Sequence, residues 1–372
     1  MSNEINMLKV AAMILVYFCH CYIVCNHTFG FEFENNWQML LKTPAWAGVW
    51  IFVFVSGYLA ENGFAKGKYK YQKESIIEYY KGRILKILIP SYIFISLAYI
   101  LVTPSEPISL SFLVSLLTCT FNGKGGSAIV GASWYVFVVM WLYLITPFLS
   151  FAIDKIVVIN KHIQMKRAFT VLCAVLLMGL CYRIFGRMAG LKWYDWIYAN
   201  VFGCLDIFVV GMLANKLRGY FVKNNSVHKQ RLYIFSLFAL VILVNVSSIC
   251  YFYGETTKPT LLSLYRYVFP SFYISLLFLL LSAMPDDKKQ SNSWLKCGFS
   301  DGLGVFNTLA DYSFMFYLWH TAILYSVARI ITIGDLFVKY LVVLVMSFII
   351  TGYLSLLMTK MNGAIISSIK KL

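Results

Sequence analysis

Long apolar runs recur along the whole chain and leave little freedom in what it can fold into. A helix needs about 20 mostly apolar residues to cross the hydrocarbon core of a bilayer. Ten candidates stand out: Ile5–Cys25, Trp46–Leu59, Ile84–Val102, Trp134–Ile153, Ala168–Phe185, Trp196–Ala214, Leu232–Phe252, Leu264–Met284, Phe306–Ile331 and Leu336–Met358. The second is short at its clearest, but Lys42–Ala60 suffices. A further run, Ile108–Phe121, is hemmed in by Pro107 and Gly123 and reads as a partly buried or re-entrant segment. The expected fold is all-α, a polytopic integral membrane protein of about ten transmembrane helices, forming a single unit over residues 1–372.

Composition narrows the function classes. Charged residues make up 13% of the chain and hydrophobic ones 60%, where an ordinary soluble domain carries roughly 25% charged residues. So few charges cannot cover a water-facing surface of this size. A soluble globular enzyme, a disordered chain and a nucleic-acid reader are all excluded. The first run has no basic cluster before it and no small-residue cleavage pattern after it, so it reads as a retained helix.

The net charge of +16 is instead a statement about topology. With the N-terminus inside, the even-numbered loops and the C-terminal tail hold 22 Lys and Arg residues, against eight in the odd-numbered loops. Basic residues favour the cytoplasmic side. Both termini are therefore expected in the cytoplasm, in a multi-pass protein of the cell membrane. The nine cysteines form no paired spacing. Cys21 and Cys25 share a helix face, but no second pair completes a metal site, and no metal is expected. No Gly-rich phosphate loop is present, so the chain is not an ATP-driven pump by itself.

Ionisable and polar side chains at membrane depth are costly and usually functional. Lys9 and His20 lie eleven residues apart in the first run. Eleven steps of about 100° bring them back to one helix face, at an axial separation of about 16 Å. They cannot easily touch, but a ligand stretched along that face can touch both. Snorkelling for Lys9 and a hydrogen-bonded core role for His20 are the plain alternatives. Ser56-Gly57 in the second run suits close helix packing or the lining of a ligand channel. Arg83 and Lys86 precede Pro90 at the entry of the third run, as snorkelling anchors or as a phosphate-binding pair. Trp134 opens the fourth run, where interfacial aromatics are routine. Asp206 in the sixth run wants a cation or a donor, and Arg183 in the fifth is one candidate. Ser313, Tyr317 and His320 fall at i, i+4 and i+7 of the ninth run and form one polar stripe that reads as pocket-facing.

In this order, the fragments together resemble the membrane-bound acyltransferase-3 family, integral-membrane O-acyltransferases that act on cell-surface glycans. The family's Arg-x10-His is Lys9-x10-His20 here. Its Phe-x-x-Ser-Gly-Phe/Tyr corresponds to Phe52-Val-Phe-Val-Ser56-Gly57-Tyr58, with one extra residue after Phe52 and a tighter alignment on Phe54. Its Arg-x-x-Arg before a proline is Arg83-x-x-Lys86. Trp134-Tyr135 and Asp206-Ile-Phe-Val-Val-Gly211 match two further patterns, and the late Ser-Tyr-x-x-Tyr-Leu-Trp-His becomes Ser313-Phe-Met-Phe-Tyr317-Leu-Trp-His320. Lysine at positions 9 and 86 keeps the charge and loses the planar fork of arginine. Many relatives carry an extracytoplasmic hydrolase-like domain after the last helix. Only 14 residues follow Met358 here, so no such fused domain is expected.

The resemblance implies transfer of an acyl group, acetyl being the expected one, from acyl-coenzyme A to a hydroxyl of a cell-surface or lipid-linked glycan. Acetyl-coenzyme A is then a donor substrate, and no permanently bound cofactor is implied. The other partners are the glycan acceptor and membrane lipids, with no nucleic acid; a homo-oligomer stays open. Arg83, Lys86 and Lys9 are the candidates for the donor's phosphates, with Ser56 lining its channel. His20 would act as general base or as a transiently acylated nucleophile. His320 and Tyr317 would orient the acceptor or stabilise the oxyanion. Trp134, Asp206 and Ser313 would serve the acceptor or the framework. The competing class is a transporter or flippase of a lipid-linked saccharide, which ten helices with buried charges also suit.

Overall fold

The computed structural model of the chain describes residues 3–32, 45–103, 107–124, 126–159, 162–221, 235–236, 239, 261–282 and 300–369. Nearly all of these are helical. The helices are α1 (Asn3–Phe29), α2 (Ala45–Ala65), α3 (Lys73–Arg83), α4 (Ile89–Leu101), α5 (Leu110–Leu117), α6 (Trp134–Val157), α7 (Met165–Met188), α8 (Val201–Phe221), α9 (Leu261–Ser282), α10 (Ser300–Ile330) and α11 (Leu336–Ile369). A two-residue hairpin, β1 (Val158–Ile159) with β2 (His162–Ile163), links α6 to α7. The seventh apolar run, Leu232–Phe252, lies almost wholly outside the described residues.

Among the described residues, six helical segments are long and apolar enough to cross a membrane: Ile5–Phe29, Ala45–Ala65, Lys73–Leu101, Gly131–Val157, Met165–Met188 and Leu336–Ser368. That is fewer than the ten expected. Polar residues lower the apolarity of the others. Helix α8 carries Asp206, Lys216 and Arg218, and α10 carries Ser313, Tyr317, His320 and Arg329. Helix α9 contributes a shorter apolar stretch, Val268–Leu280. Helices packed inside a bundle face protein rather than lipid, so they tolerate this polarity.

The ends follow local chemistry. Gly30 closes α1 at φ +68°, donating to the Asn26 carbonyl at 2.9 Å, a left-handed position that glycine takes without strain. Asn200 caps α8 by accepting from Phe202 N at 2.9 Å, and Asp335 caps α11 by accepting from Val338 N at 2.8 Å. The expected span Trp196–Ala214 therefore starts later, at Val201, behind a separate five-residue π turn, Tyr194–Tyr198. Helix α11 runs to Ile369, well past Met358; its 34 residues measure about 51 Å, longer than a hydrocarbon core of about 30 Å.

Helices α3 and α4 are one continuous path joined by a π turn, Ile84–Leu88, in which Ile89 N donates to the Ile84 carbonyl. Pro90 follows directly. Proline has no N–H and its ring crowds the carbonyl four residues back, so a widened turn relieves both problems. The short helix α5 takes the place of the expected partly buried segment. It buries Phe112 and Leu116 and exposes Leu110, Leu113, Val114 and Leu117.

The centre of the bundle is α1, α2, α8 and α10. Helix α2 packs most closely on α8, and α1 lies against both α10 and α2. Two hydrogen bonds set the register of α1 and α10: Asn6 Nδ2 to Asn307 Oδ1 at 2.7 Å, and His20 to His320 at 2.6 Å. Both pairs differ by nearly the same number of positions, so these two helices run parallel.

Candidate active site

The site lies on the seam between α1 and α10. His20 Nδ1 stands 2.6 Å from His320 Nε2, and the two rings are stacked with centroids 4.9 Å apart and planes 15° from parallel. His20 is partly exposed, whereas His320 is 1% exposed. His320 Nδ1 meets the Tyr317 carbonyl of its own helix at 2.6 Å. The i, i+4, i+7 stripe of α10 thus lies on the buried face of that helix.

The hydroxyls of this stripe are already engaged. Ser313 Oγ donates back to the Ala310 carbonyl at 2.8 Å. Tyr317 donates its hydroxyl to the Ala132 carbonyl. Thr321, next to His320, donates to the Ile129 carbonyl at 2.6 Å. The last two bonds tie α10 to the loop that leads into α6. A hydroxyl has one proton to donate, so Tyr317 spends its proton on that loop.

Below the histidines an aromatic layer joins α2, α6 and α10. Tyr317 packs against Tyr135 at 5.4 Å and against Phe52 at 5.9 Å. Ser56 Oγ and the Tyr135 hydroxyl share a hydrogen bond at 3.1 Å. Gly57 beside it lies against the Phe208 backbone of α8 and serves packing. Tyr135 belongs to the Trp134-Tyr135 pattern but has no role assigned from sequence, and Thr321 is not among the sequence candidates.

Arg83 and Lys86 do not share a face. The π turn rotates Lys86 out to an exposed position. Arg83 turns inward, its guanidinium over the rings of Tyr143 at 4.4 Å and Tyr79 at 5.0 Å. Its Nε is buried and has no hydrogen-bond partner. Among the described residues no carboxylate pairs with it. A guanidinium held by aromatic faces and left without a counter-charge is suited to an anion. Tyr79 sits one helical turn before Arg83, a spacing visible in the sequence; Tyr143 comes from α6 and was not. Lys9 is partly exposed on the α1 face and lies in the field of Asp311 of α10.

Two other expected residues serve the framework. Asp206 accepts from Arg183 Nη2 at 2.7 Å, and the same nitrogen donates to Ser271 Oγ at 2.8 Å. Arg183 is 0% exposed, so this pair joins α7, α8 and α9 inside the protein. Trp134 is buried against Tyr198, ring centroids 4.7 Å apart, in the π turn before α8. It is an interior residue, not a lipid-facing belt anchor. Trp196 stacks on Tyr182 at 4.6 Å.

The arrangement offers a partly buried histidine backed by a fully buried one, and a cation caged by aromatic rings where α3 meets α6. No curated protein and no solved structure matches the chain. A family model described as an acyltransferase domain matches residues 2–359, nearly the whole chain. The chain therefore belongs to the acyltransferase-3 family of membrane proteins.

Proposed function

We propose that this acyltransferase moves an acetyl group from acetyl-coenzyme A to a hydroxyl of a cell-surface or lipid-linked glycan, in a cell-membrane protein of ten spans with both termini in the cytoplasm. The observation that carries the chemistry is the partly exposed His20 in hydrogen-bond contact with the buried His320. A neutral imidazole accepts a proton near neutral pH, which is what attack by a sugar hydroxyl on a thioester requires.

Coenzyme A carries phosphates at one end and the thioester at the other. Arg83 suits the phosphates because its charge has no carboxylate partner among the described residues. Lys9 is the further cation of this donor site; Lys86, which the π turn sends to the surface away from Arg83, is left out of it. Tyr143, which touches Arg83, lies on the same helix as Tyr135, which touches Tyr317. That face of α6 is the route for the pantetheine arm. Eight residues of helix separate the two tyrosines, about 12 Å of rise, a length a pantetheine arm can span.

The test uses purified protein in lipid nanodiscs with radiolabelled acetyl-coenzyme A and a panel of bacterial polysaccharides and methyl glycosides. Label is expected in a glycan ester, and His20→Ala is expected to abolish it while the protein still accumulates in the membrane. Full transfer by His20→Ala would remove His20 from the chemistry. Label that leaves acetyl-coenzyme A for none of these hydroxyls would overturn the substrate assignment.

A further inference from the structure

We propose that His320 is a positioning residue that holds His20 in the Nδ1–H form and so presents the His20 Nε2 lone pair to the reacting hydroxyl. This rests on the acyl-transfer reading above and assigns the buried histidine a role in it.

The argument is an inventory of protons. The Tyr317 carbonyl, 2.6 Å from His320 Nδ1, can only accept. His320 Nδ1 therefore carries a hydrogen. In a neutral ring the other nitrogen is then bare, so His320 Nε2 is an acceptor. The atom facing it at 2.6 Å is His20 Nδ1, which must therefore carry the hydrogen of that bond. His20 Nε2 is left with its lone pair. His20 makes no other hydrogen bond among the described residues, and the residue is not fully buried.

One chain of donors thus runs from the α1 ring through the α10 ring to the α10 backbone. Its anchor is a helix carbonyl, which cannot reverse its role. Tyr317, whose carbonyl ends the chain, is itself fixed by its hydroxyl bond to Ala132. The direction of the chain is therefore set by the fold. The Nδ1–H form is the less common one for a free imidazole, so its presence is a specific signature.

In the reaction, the acceptor hydroxyl gives its proton to His20 Nε2 as its oxygen forms the ester bond to the acyl carbon. The carbon–sulfur bond breaks, and the proton passes from Nε2 to the departing thiolate of coenzyme A. In between, His20 is protonated at both nitrogens and carries one positive charge, and His320 Nε2 supports that charge by accepting from Nδ1. His320 touches neither substrate. The same geometry shows that His320 and Tyr317 have no uncommitted donor for an oxyanion.

The chain has five histidines, few enough to resolve by selective isotope labelling. Solid-state NMR of protein labelled at histidine nitrogens, in lipid, with signals assigned by His20→Ala and His320→Gln, reads each tautomer directly. A protonated Nδ1 and a bare Nε2 are expected at His20 in the wild type. A protonated Nε2 there overturns the proposal, and this readout requires no active variant.

Kinetics give the second arm, following thiol release from acetyl-coenzyme A with a pool of methyl glycopyranosides as acceptor. His320→Leu is expected to lower kcat about 100-fold, a size typical of general-base effects, with KM for acetyl-coenzyme A unchanged. His320→Gln keeps an acceptor for His20 Nδ1 and is expected to recover at least tenfold. Wild-type kcat in His320→Leu, a loss confined to KM, or no recovery by His320→Gln overturns the positioning role. Activity retained by His20→Ala removes His20 as the base, whereas wild-type protein that releases no thiol from acetyl-coenzyme A overturns the acyl-transfer reading, so the failures are distinguishable.

Discussion

Gly57 of α2 and Gly211 of α8 form a reciprocal contact: each backbone lies on the carbonyl oxygen of the residue three before the other. A Cβ added at Gly57 would stand 2.0 Å from the Phe208 oxygen, and one at Gly211 would stand 2.1 Å from the Phe54 oxygen. Both glycines end short sequence patterns, Phe54-Val-Ser-Gly57 and Asp206-Ile-Phe-Val-Val-Gly211. The two patterns are halves of one helix crossing. Small residues at such a crossing let backbones meet, and this one places Ser56 against Tyr135 on one side and Asp206 against Arg183 on the other.

Gly57→Ala is accordingly expected to destabilise the protein by about 1–3 kcal/mol, the usual cost of overpacking, because the obstructing atom is backbone and cannot swing away. Gly211→Ala should behave alike. Thermal unfolding in detergent checks this, and a wild-type melting temperature for both variants would contradict the contact.

The Arg183–Asp206 pair is expected to respond asymmetrically. Removing one partner from a buried ion pair costs about 3–5 kcal/mol, because the other charge stays behind. Arg183→Met and Asp206→Leu should each lower thermal stability sharply, and the double variant should be more stable than the sum of the two losses predicts. A double-variant cycle of melting temperatures measures the coupling.

Lys216 bridges Glu61 at 2.7 Å and also Asp154, tying α2, α6 and α8 together at one end. Tyr71 adds bonds to Asp154 at 2.5 Å and Ser150 at 2.9 Å. Lys216→Met leaves two carboxylates facing each other with no cation, and about 3 kcal/mol of stability should go with it. Adding Glu61→Gln should restore part of the loss. Unfolding followed by tryptophan fluorescence reports both.

Arg83 is expected to act on donor binding. Arg83→Ala should raise KM for acetyl-coenzyme A tenfold or more with a smaller change in kcat. Arg83→Lys should fall between, since an ammonium keeps the charge and loses the planar stack on Tyr143 and Tyr79. Titration of acetyl-coenzyme A against both variants is the measurement; an unchanged KM in Arg83→Ala would take this residue out of the donor site.

The polar intruders were legible because a membrane makes each of them expensive. His20, Asp206, Arg183 and the stripe Ser313, Tyr317 and His320 stand out from apolar surroundings by type alone. The pairing of Asp206 with Arg183 was also within reach, as few buried cations compete for one carboxylate. The spacing of Arg83 and Lys86 misled for a local reason. Three residues in a regular helix nearly share a face, but the turn before Pro90 is widened, which sends one cation inward and the other to the surface. Run length and periodicity do not say whether a helix faces lipid or protein, so the polar helices α8 and α10 look in the sequence like the more apolar ones beside them.

By itself, then, the order of amino acids determined an all-helical membrane chain, most of its helix positions and the residue types able to do chemistry. Those follow from local terms: apolar run length, helical period, caps and the cost of burying charge. Tertiary structure alone decided which of those residues meet. His20 and His320 are 300 positions apart, and only the parallel register of α1 on α10 brings their nitrogens into contact. The direction of that hydrogen bond depends on a backbone carbonyl, which every residue has and no sequence pattern marks.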